Sequence, residues 1–477
     1  MVSRPEAHPV TPPVLTVFAA AWATAALFPA VGNPRISQLH PATTPLGVAT
    51  ALLCLAALWV LAAPIRLGRL AVLAALVPAV AWLEAPILAN HWWLAAAVSV
   101  AFLVAAAGPV MRRRRLDGEA LAERFLPAAR WTLIVFYSFA AFAKLNTAFL
   151  DPEVSCAVYY FNQSMTAVGL PGVSGPAGTA VILASLIAEL SVPVLLAVPA
   201  TRPAGVLVGL AFHYLVALDL GQHFYDFSAV LFPLFLLFLP SGFAGRLVAG
   251  VEEWRRGRPV LARAVAGLLL AGGLVMAAAS LVRPFPLQLG LLGRVPFLAW
   301  ALYGALAVWS VVLLGRPGRP GSLRWRLAPS AWVVVALVVV NGLTPYLEAK
   351  TAFGFTMYSN LAMVDGSSNH LVVARSFPVT DAHRRLVEVV ETDDPGLDLY
   401  RAHGYLLPWV QFRDYLARHP EVAVTYAVEG QPRRVARAGD LPEFTGPDPE
   451  WRRRLFPFRA VDARHPTRCQ AFWYPAT

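Results

Sequence analysis

Residues 131–150 read WTLIVFYSFAAFAKLNTAFL, a predominantly apolar run with the length of a transmembrane helix. About twenty predominantly apolar residues in a row are enough to cross the hydrocarbon core of a bilayer as a helix. The run contains one charged side chain, Lys144, and only two of the 39 basic residues of the chain, Lys144 and Lys350, are lysines. An ionisable residue inside a span is costly, so Lys144 is a candidate functional residue. The alternative is a lysine that snorkels to the membrane interface.

Composition is typical of a polytopic membrane protein. Hydrophobic residues make up 57% and charged residues 14% of the chain, and the mean hydropathy is +0.58, whereas soluble proteins carry about 25% charged residues. We predict an all-α polytopic membrane bundle of about eleven transmembrane helices in residues 1–345, followed by a small extracytoplasmic β-rich domain in residues 346–477. The predicted spans lie near 14–31, 46–64, 70–88, 92–110, 131–150, 179–199, 204–220, 224–240, 262–282, 297–314 and 330–346.

Arginines alternate between the predicted connections. The even-numbered connections are rich in arginine, the odd-numbered ones are poor in it, and the fifth contains Asp151 and Glu153 but no basic residue. The positive-inside rule therefore predicts a multi-pass protein of the cell membrane with a cytoplasmic N-terminus and an extracytoplasmic C-terminal domain. The arginines are Arg66 and Arg69 in the second connection, Arg112–Arg115 and Arg124 in the fourth, Arg246, Arg255, Arg256 and Arg258 in the eighth, and Arg316, Arg319, Arg324 and Arg326 in the tenth.

The net charge of +11 does not indicate a nucleic-acid partner. Residues 1–345 contain 23 basic and 12 acidic side chains, whereas residues 346–477 contain 16 of each. The whole excess lies in the membrane part, where topology accounts for it, and the tail is neutral overall. Walker, Rossmann, HExxH and nucleophile-elbow signatures are absent from the sequence. The arginine and alanine bias is typical of a GC-rich bacterial genome.

The tail differs in kind from the rest of the chain. Short β-type runs at His370–Ala374, Leu386–Val390 and Val422–Val428 predict strands, and residues 406–419 predict an amphipathic helix. Turn signals separate these elements at Asp365-Gly366, Asp394-Pro395-Gly396 and Glu429-Gly430. The pattern therefore predicts a small β-rich domain on the outer membrane face.

The three cysteines leave two interpretations open. Cys54 falls in the second span and is interpreted as a small core residue, whereas Cys156 and Cys469 are both predicted to lie outside, where disulfides persist. Either these two cysteines are bonded to each other, or they are unrelated thiols. No spacing of cysteines and histidines predicts a metal site.

Further polar residues fall in or beside the predicted spans. Glu189 lies in the middle of the sixth span, His213 lies on the seventh, and Asp219 and His223 lie in the short turn that follows. Under the predicted topology, Lys144, Asp219 and His223 occupy the outer half of the membrane. We take these five residues as the candidate site. A lone membrane histidine is also typical of a plain hydrogen bond between helices, and Glu189 is equally well explained by an ion pair with a neighbouring helix.

Residues 136–146, FYSFAAFAKLN, followed by Phe149-Leu150, resemble the signature helix of the horizontally transferred transmembrane (HTTM) family. That family is related to vitamin K-dependent gamma-carboxylase, and its signature is an aromatic stretch that leads to a lysine-leucine-acid/amide step. The resemblance extends over roughly residues 15–375. Three weaker matches are Glu189-Leu190 with Pro193 and Thr201-Arg202-Pro203, His213 with Phe232-Pro233 and Phe238-Leu239-Pro240, and Met357-Tyr358-Ser359 to Asn369-His370-Leu371.

The resemblance implies a chemistry for Lys144. In the carboxylases the matching lysine is the catalytic base that acts with reduced vitamin K. The carboxylases also have a double lysine and a much larger lumenal region that binds a propeptide, whereas here Ala143 precedes Lys144 and the tail is short. This departure argues against carboxylation of a propeptide-bearing client, and it leaves room for another substrate of the membrane core.

Two classes of function remain open. The first is a quinone-dependent membrane enzyme, a carboxylase/epoxidase-like lyase, that uses a reduced quinone of the menaquinone or vitamin K type and no metal. In it Lys144 is the base, His213 or His223 binds a quinone or substrate oxygen, and Glu189 and Asp219 orient these groups. The second is a non-catalytic transporter or an assembly or export partner, in which Lys144 is a counter-ion to Glu189 or Asp219. The expected partners are membrane lipids and a protein or small molecule at the extracytoplasmic face, with no nucleic acid.

Overall fold

The computed structural model describes residues 11–28, 45–113, 116–218, 224–281, 295–315 and 325–469. The chain divides into two compact units. The first consists of Met1–Leu83, His91–Tyr137 and Ser191–Val338, and the second of Glu84–Asn90, Ser138–Leu190 and Val339–Thr477. The boundary expected at 345 therefore falls close to the start of the last segment of the second unit, which also contains two segments from earlier in the chain.

Each predicted span overlaps a helix, but the bounds and lengths of the helices differ from the prediction. Within the described ranges, seven helices are long and apolar enough to cross a membrane: α2, α3, α4, α5, α8, α12 and α13. The other four predicted spans are shorter apolar helices, so a count of eleven crossings remains a prediction. The helices up to residue 343 are α1 Pro13–Ala25, α2 Pro45–Ala62, α3 Leu67–Glu84, α4 Asn90–Arg113, α5 Gly118–Phe142, α6 Thr147–Leu150, α7 Cys156–Ala167, α8 Gly175–Ala197, α9 Arg202–Val216, α10 Tyr225–Leu236, α11 Ser241–Gly257, α12 Pro259–Ala279, α13 Val295–Leu314 and α14 Pro329–Leu343.

The first unit is a helical bundle. Helix α1 packs against α2, α10 and α11, α12 packs against α2, and α9 packs against α10 and α13. Aromatic rings fill the interior, where the fully buried Trp300 of α13 lies 5.0 Å from the ring of Phe232. Gly209 allows α9 to approach α10 closely, because a Cβ atom there would lie only 2.6 Å from the ring of Phe235.

The second unit contains an antiparallel sheet of five strands in the order β6-β5-β3-β4-β7, with α15 and α16 packed on β3 and β4. Val387, Leu407, Phe412 and Tyr426 form part of its core. A separate hairpin joins β1 to β2. The elements are β1 Met363–Val364, β2 Ser367–Ser368, β3 Leu386–Thr392, α15 Pro395–His403, β4 Tyr405–Pro408, α16 Trp409–Arg418, β5 Val424–Val428, β6 Gln431–Val435, α17 Glu450–Leu455 and β7 Val461–Asp462.

Two of the three predicted turns are hairpin turns, whereas the third, Asp394-Pro395-Gly396, is the start of α15, a helix that the sequence analysis did not predict. Asp365-Gly366 joins β1 to β2 and Glu429-Gly430 joins β5 to β6, and all four residues have positive φ, as two-residue hairpin turns require. Asp394 caps α15, since its side chain accepts a hydrogen bond from the backbone N–H of Leu397. Local turn chemistry therefore placed the two hairpins but not α15.

Two expectations about secondary structure are wrong. Residues 131–150 are not one continuous helix, because α5 ends at Phe142 and α6 begins only at Thr147. His370–Ala374 is not a strand: the imidazole Nδ1 of His370 accepts the backbone N–H groups of Val372 and Val373, so these donors are not available to a sheet. The predicted strands at Leu386–Val390 and Val422–Val428 are confirmed as β3 and β5 to within a few residues, and the predicted helix as α16.

A fully buried carboxylate, Glu348, organises the segment after α14. It accepts hydrogen bonds from the backbone N–H groups of Asp365 and Gly366, from the Ser376 hydroxyl and from Nδ1 of His383. Burial alone would raise the pKa of Glu348, but the hydrogen bonds from His383, Ser376 and Gly366 outweigh it and lower the pKa from 4.5 to about 2. The β1–β2 turn therefore depends on this charge.

Replacement of Glu348 by glutamine should destabilise the protein by about 2 kcal/mol, because charge-assisted hydrogen bonds are lost from a buried site. The lowered pKa gives the pH dependence: the ionised carboxylate stabilises the fold above its ordinary pKa, and this contribution fades as the pH falls from about 4.5 towards about 2. Thermal unfolding in detergent measures both effects. Asp381→Asn, at an exposed ion pair, should change nothing. An equal loss in both variants would contradict the assignment.

Candidate functional site

Lys144 lies in a tight turn just beyond the end of α5, in the second unit. The chain leaves the helix through short-range hydrogen bonds, from Lys144 N to Ala141 O and from Leu145 N to Phe142 O. Lys144 is only 6% exposed. Its amine is therefore a buried group at a helix end, and not a side chain in the middle of a continuous span.

The amine of Lys144 is paired with Glu189. Nζ donates to Oε2 of Glu189 over 2.6 Å and to the carbonyl oxygen of Ala140 over 3.2 Å. Glu189 lies on α8 and is 8% exposed, and its other oxygen, Oε1, accepts the hydroxyl of Ser185 over 3.2 Å. A buried charge is tolerated only when it is paired and hydrogen-bonded, and both members of this pair meet that condition.

Asn146 holds the Lys144 turn in place. Its side-chain amide donates to the carbonyl oxygens of Ala143, 2.8 Å away, and Ser359. Its Oδ1 accepts the backbone N–H of Phe149 and so caps α6. In the sequence Lys144-Leu145-Asn146, the amide of Asn146 therefore has a structural role. It holds the backbone from which the side chain of Lys144 projects.

A disulfide joins Cys156 at the start of α7 to Cys469 near the end of the described tail, with their Cα atoms 4.8 Å apart. The structure therefore agrees with the first interpretation, in which Cys156 and Cys469 are bonded to each other. Backbone groups reinforce the connection, since Cys469 N donates to Val154 O and Asn360 Oδ1 accepts from Cys156 N. The tail is thereby attached to the chain segment that follows the Lys144 turn.

His213 belongs to the first unit and has a different environment. Its Nε2 and the hydroxyl of Tyr137 are 3.0 Å apart, and its ring lies edge-on to Phe227 with centroids 5.0 Å apart. In the same unit His91 pairs with Asp226 over 3.1 Å. His213 therefore lies in an aromatic, hydrogen-bonded setting.

The candidate residues do not form a single described cluster. The structure brings Lys144 and Glu189 together and adds Ser185, which the sequence analysis missed although it lies one helical turn before Glu189. It places His213 with Tyr137, which was also missed because a tyrosine in an aromatic run carries no separate signal. Asp219 and His223 lie outside the described residues.

Two further observations concern cofactors and charges. Within the described ranges, no group of three histidine, cysteine, aspartate or glutamate side chains is arranged to hold a metal ion. The second lysine, Lys350, is also buried, and its Nζ donates to Asn341 Oδ1 over 2.7 Å. Burial lowers the pKa of Lys350 to about 7. Both lysines of the chain therefore lie in the second unit and are buried.

Comparison with known proteins finds no relative: no family model matches the chain, and neither a curated protein nor a solved structure matches it. The resemblance to the HTTM family therefore depends on the quoted residues alone.

The Lys144–Glu189 pair can be tested by a double-mutant cycle. Lys144→Ala and Glu189→Ala should each destabilise the protein by about 3–5 kcal/mol, because each leaves a buried charge without its partner. The double variant should cost clearly less than the sum of the two, because neither charge is then left behind. Thermal unfolding in detergent measures all three. Additive losses would contradict a direct pair.

Proposed function

We propose that this chain is an integral membrane enzyme in which Lys144 accepts a proton from a reduced quinone. The buried pair of Lys144 and Glu189 is the observation that carries this proposal. The resemblance to vitamin K-dependent gamma-carboxylase supplies the reaction class, a carboxylase- or epoxidase-like lyase, and the lysine that matches its base.

A buried lysine–glutamate pair is suited to proton transfer. The ionic form places two charges in an apolar surrounding, and the desolvation of both opposes their attraction. Moving one proton from Nζ of Lys144 to Oε2 of Glu189 yields an amine and a carboxylic acid, neither of which is charged. The 2.6 Å contact supports such a transfer, because no rearrangement is needed first. The neutral amine has a lone pair and is a base.

Glu189 is held for this role by Ser185. The serine hydroxyl donates to Oε1, so Oε2 remains directed at the amine. In the proposal Glu189 stores the proton that Lys144 releases, and the amine then takes a second proton from the substrate. Lys144 is the base and Glu189 is its proton-accepting partner.

The aromatic setting of His213 suits a quinone head group. His213 and Tyr137 provide a hydrogen-bonding pair, and Phe227 and Phe235 provide rings next to it. Groups of this kind can bind a quinone oxygen and its flat ring. These neighbours make His213 a candidate group for binding a quinone oxygen. A reduced quinone would supply an acidic hydroxyl, and Lys144 is the proposed acceptor of its proton.

A second candidate function is a non-catalytic membrane protein, a transporter or an assembly or export partner. The direct contact between Lys144 and Glu189 also favours this function, because a structural counter-ion requires the same geometry. The two candidates differ in whether Lys144 must lose its proton.

Lys144→Arg separates the two candidates. Arginine keeps the charge and can pair with Glu189, but it cannot act as a base near neutral pH. Quinone-dependent turnover in proteoliposomes should therefore fall by about 10²–10⁴-fold while the melting temperature stays close to that of the parent. Lys350→Arg is a matched control, since it makes the same change at the other buried lysine and should keep turnover. A folded Lys144→Arg protein with full activity would favour the counter-ion.

The proposed orientation has the N-terminus in the cytoplasm and the tail outside the cell. The alternation of arginine-rich connections supports this orientation. The disulfide between Cys156 and Cys469 also supports it, because such bonds persist in oxidising compartments.

Alkaline phosphatase fusions test the orientation. A fusion after Arg258 should be inactive, because that connection is rich in arginine and is retained in the cytoplasm. A fusion at the C-terminus of the full chain should be active, since alkaline phosphatase folds only in an oxidising compartment. An active fusion after Arg258 together with an inactive C-terminal fusion would contradict this orientation and indicate the reverse one.

A further inference from the structure

Residues 371–379, LVVARSFPV, form an irregular loop that exposes large apolar side chains. Leu371 is 54% exposed, Val372 67%, Phe377 67% and Val379 63%. We call this segment the apolar loop. Exposed large apolar residues that are clustered, and not scattered singly, mark an interaction site.

The backbone of the apolar loop is anchored at both ends. At its start, Leu371 N donates to Leu145 O over 2.9 Å. Towards its end, Phe377 N donates to Tyr346 O and Val379 N to Leu347 O, each over 2.9 Å. These acceptors follow the ends of α5 at residue 142 and of α14 at residue 343.

Two side chains fix which way the loop faces. The buried hydroxyl of Ser376 donates to Glu348 and to Ser367 O, so this position points inwards. His370, just before the loop, lies with its Nε2 2.9 Å from Phe142 O, and its Nδ1 accepts from Val372 N. Val373 also faces inwards, where it packs against the buried cluster that contains Ala143 and Tyr346. The remaining large apolar side chains of the loop are left on its exposed side.

The backbone hydrogen bonds at its two ends place the apolar loop beside the ends of two helices. Leu145 is three residues beyond the end of α5, a helix long and apolar enough to cross a membrane, and Tyr346 is three residues beyond the end of α14. In the membrane embedding proposed above, these helix ends lie at the bilayer surface, and the loop is hydrogen-bonded just beyond both of them. Arg375, in the middle of the loop, is exposed and can reach phosphate head groups at that level.

We propose that the apolar loop inserts Leu371, Val372, Phe377 and Val379 into the interface of the phospholipid bilayer on the side of the tail. The loop is hydrogen-bonded just beyond the ends of two apolar helices, and its exposed apolar side chains flank the exposed Arg375, so lipid is its occupant. The insertion fixes the tail, and with it the Lys144 turn, at the membrane surface. It rests on the membrane embedding proposed above but not on the chemistry assigned to Lys144.

The experiment uses nitroxide labels on the full chain in nanodiscs of phosphatidylcholine and phosphatidylglycerol. Phe377→Cys and, separately, Val372→Cys are labelled without reductant, since Cys54 is buried and Cys156 is bonded to Cys469. Val390→Cys is the matched control, because Val390 is 48% exposed on β3 of the tail sheet. Collision rates with oxygen, which concentrates in lipid, and with a water-soluble nickel complex are measured.

The expected result is a label at Phe377 and at Val372 that collides with oxygen several-fold more often than with the nickel complex, while the label at Val390 shows the opposite preference. High nickel accessibility at both loop positions would overturn the proposal, because the loop would then face water. Low accessibility to both reagents would also overturn it, because the loop would then be covered by protein, such as a second copy of the chain. The turnover of Phe377→Cys and Val372→Cys is also measured before labelling. Unchanged turnover together with loop labels that do not face lipid would contradict the loop proposal and leave the Lys144 proposal standing.

Discussion

A helix that ends in an apolar surrounding must find hydrogen-bond donors for its last carbonyl groups, and the end of α5 shows how this chain meets that requirement. The Lys144 amine donates to Ala140 O, the Asn146 amide donates to Ala143 O, and His370 from the tail lies within hydrogen-bond distance of Phe142 O. The same few side chains therefore end the helix, place the amine of Lys144 beside Glu189, and bind the tail to the helix end. The second unit is built around this requirement, and the candidate site is a consequence of it.

Charge burial follows one pattern throughout the second unit. Lys144 and Glu189 satisfy each other, while Glu348 is satisfied by two backbone N–H groups, a hydroxyl and an imidazole. Ionised groups in such positions are stabilised by directed hydrogen bonds and not by solvent. The difference between the two sites is the nature of the partner: Glu348 is hydrogen-bonded to donors that stabilise it as an anion, whereas Glu189 is paired with the amine of Lys144, the partner in the proposed proton transfer. This contrast is why the Lys144 pair, and not the more buried Glu348, is the candidate for proton transfer.

The sequence predicted the apolar helices and the main strands because hydropathy and turn residues act locally. It also selected Lys144, since a charge in an apolar run is conspicuous, and it named Glu189 as one possible partner. It did not predict that α5 ends at Phe142, because the apolar run continues to Leu150 and hydropathy cannot register a helix end that is capped by Asn146. It predicted a strand at His370–Ala374, because the effect of the His370 imidazole on the backbone depends on tertiary placement. The pairing of His213 with Tyr137 is long-range in the same sense, with 76 residues between the two positions.

The disulfide joins residues that are 313 positions apart, and this separation has a consequence for biosynthesis. Lys144 leaves the ribosome 45 residues before Glu189, and His370, the tail residue at the end of α5, follows 228 residues after Phe142. During translation the amine of Lys144 is therefore without Glu189 at first, and the Lys144 turn can reach its final form only after His370 has been made. The disulfide forms later still, because it can close only after Cys469 has been made and lies beside Cys156 at the start of α7.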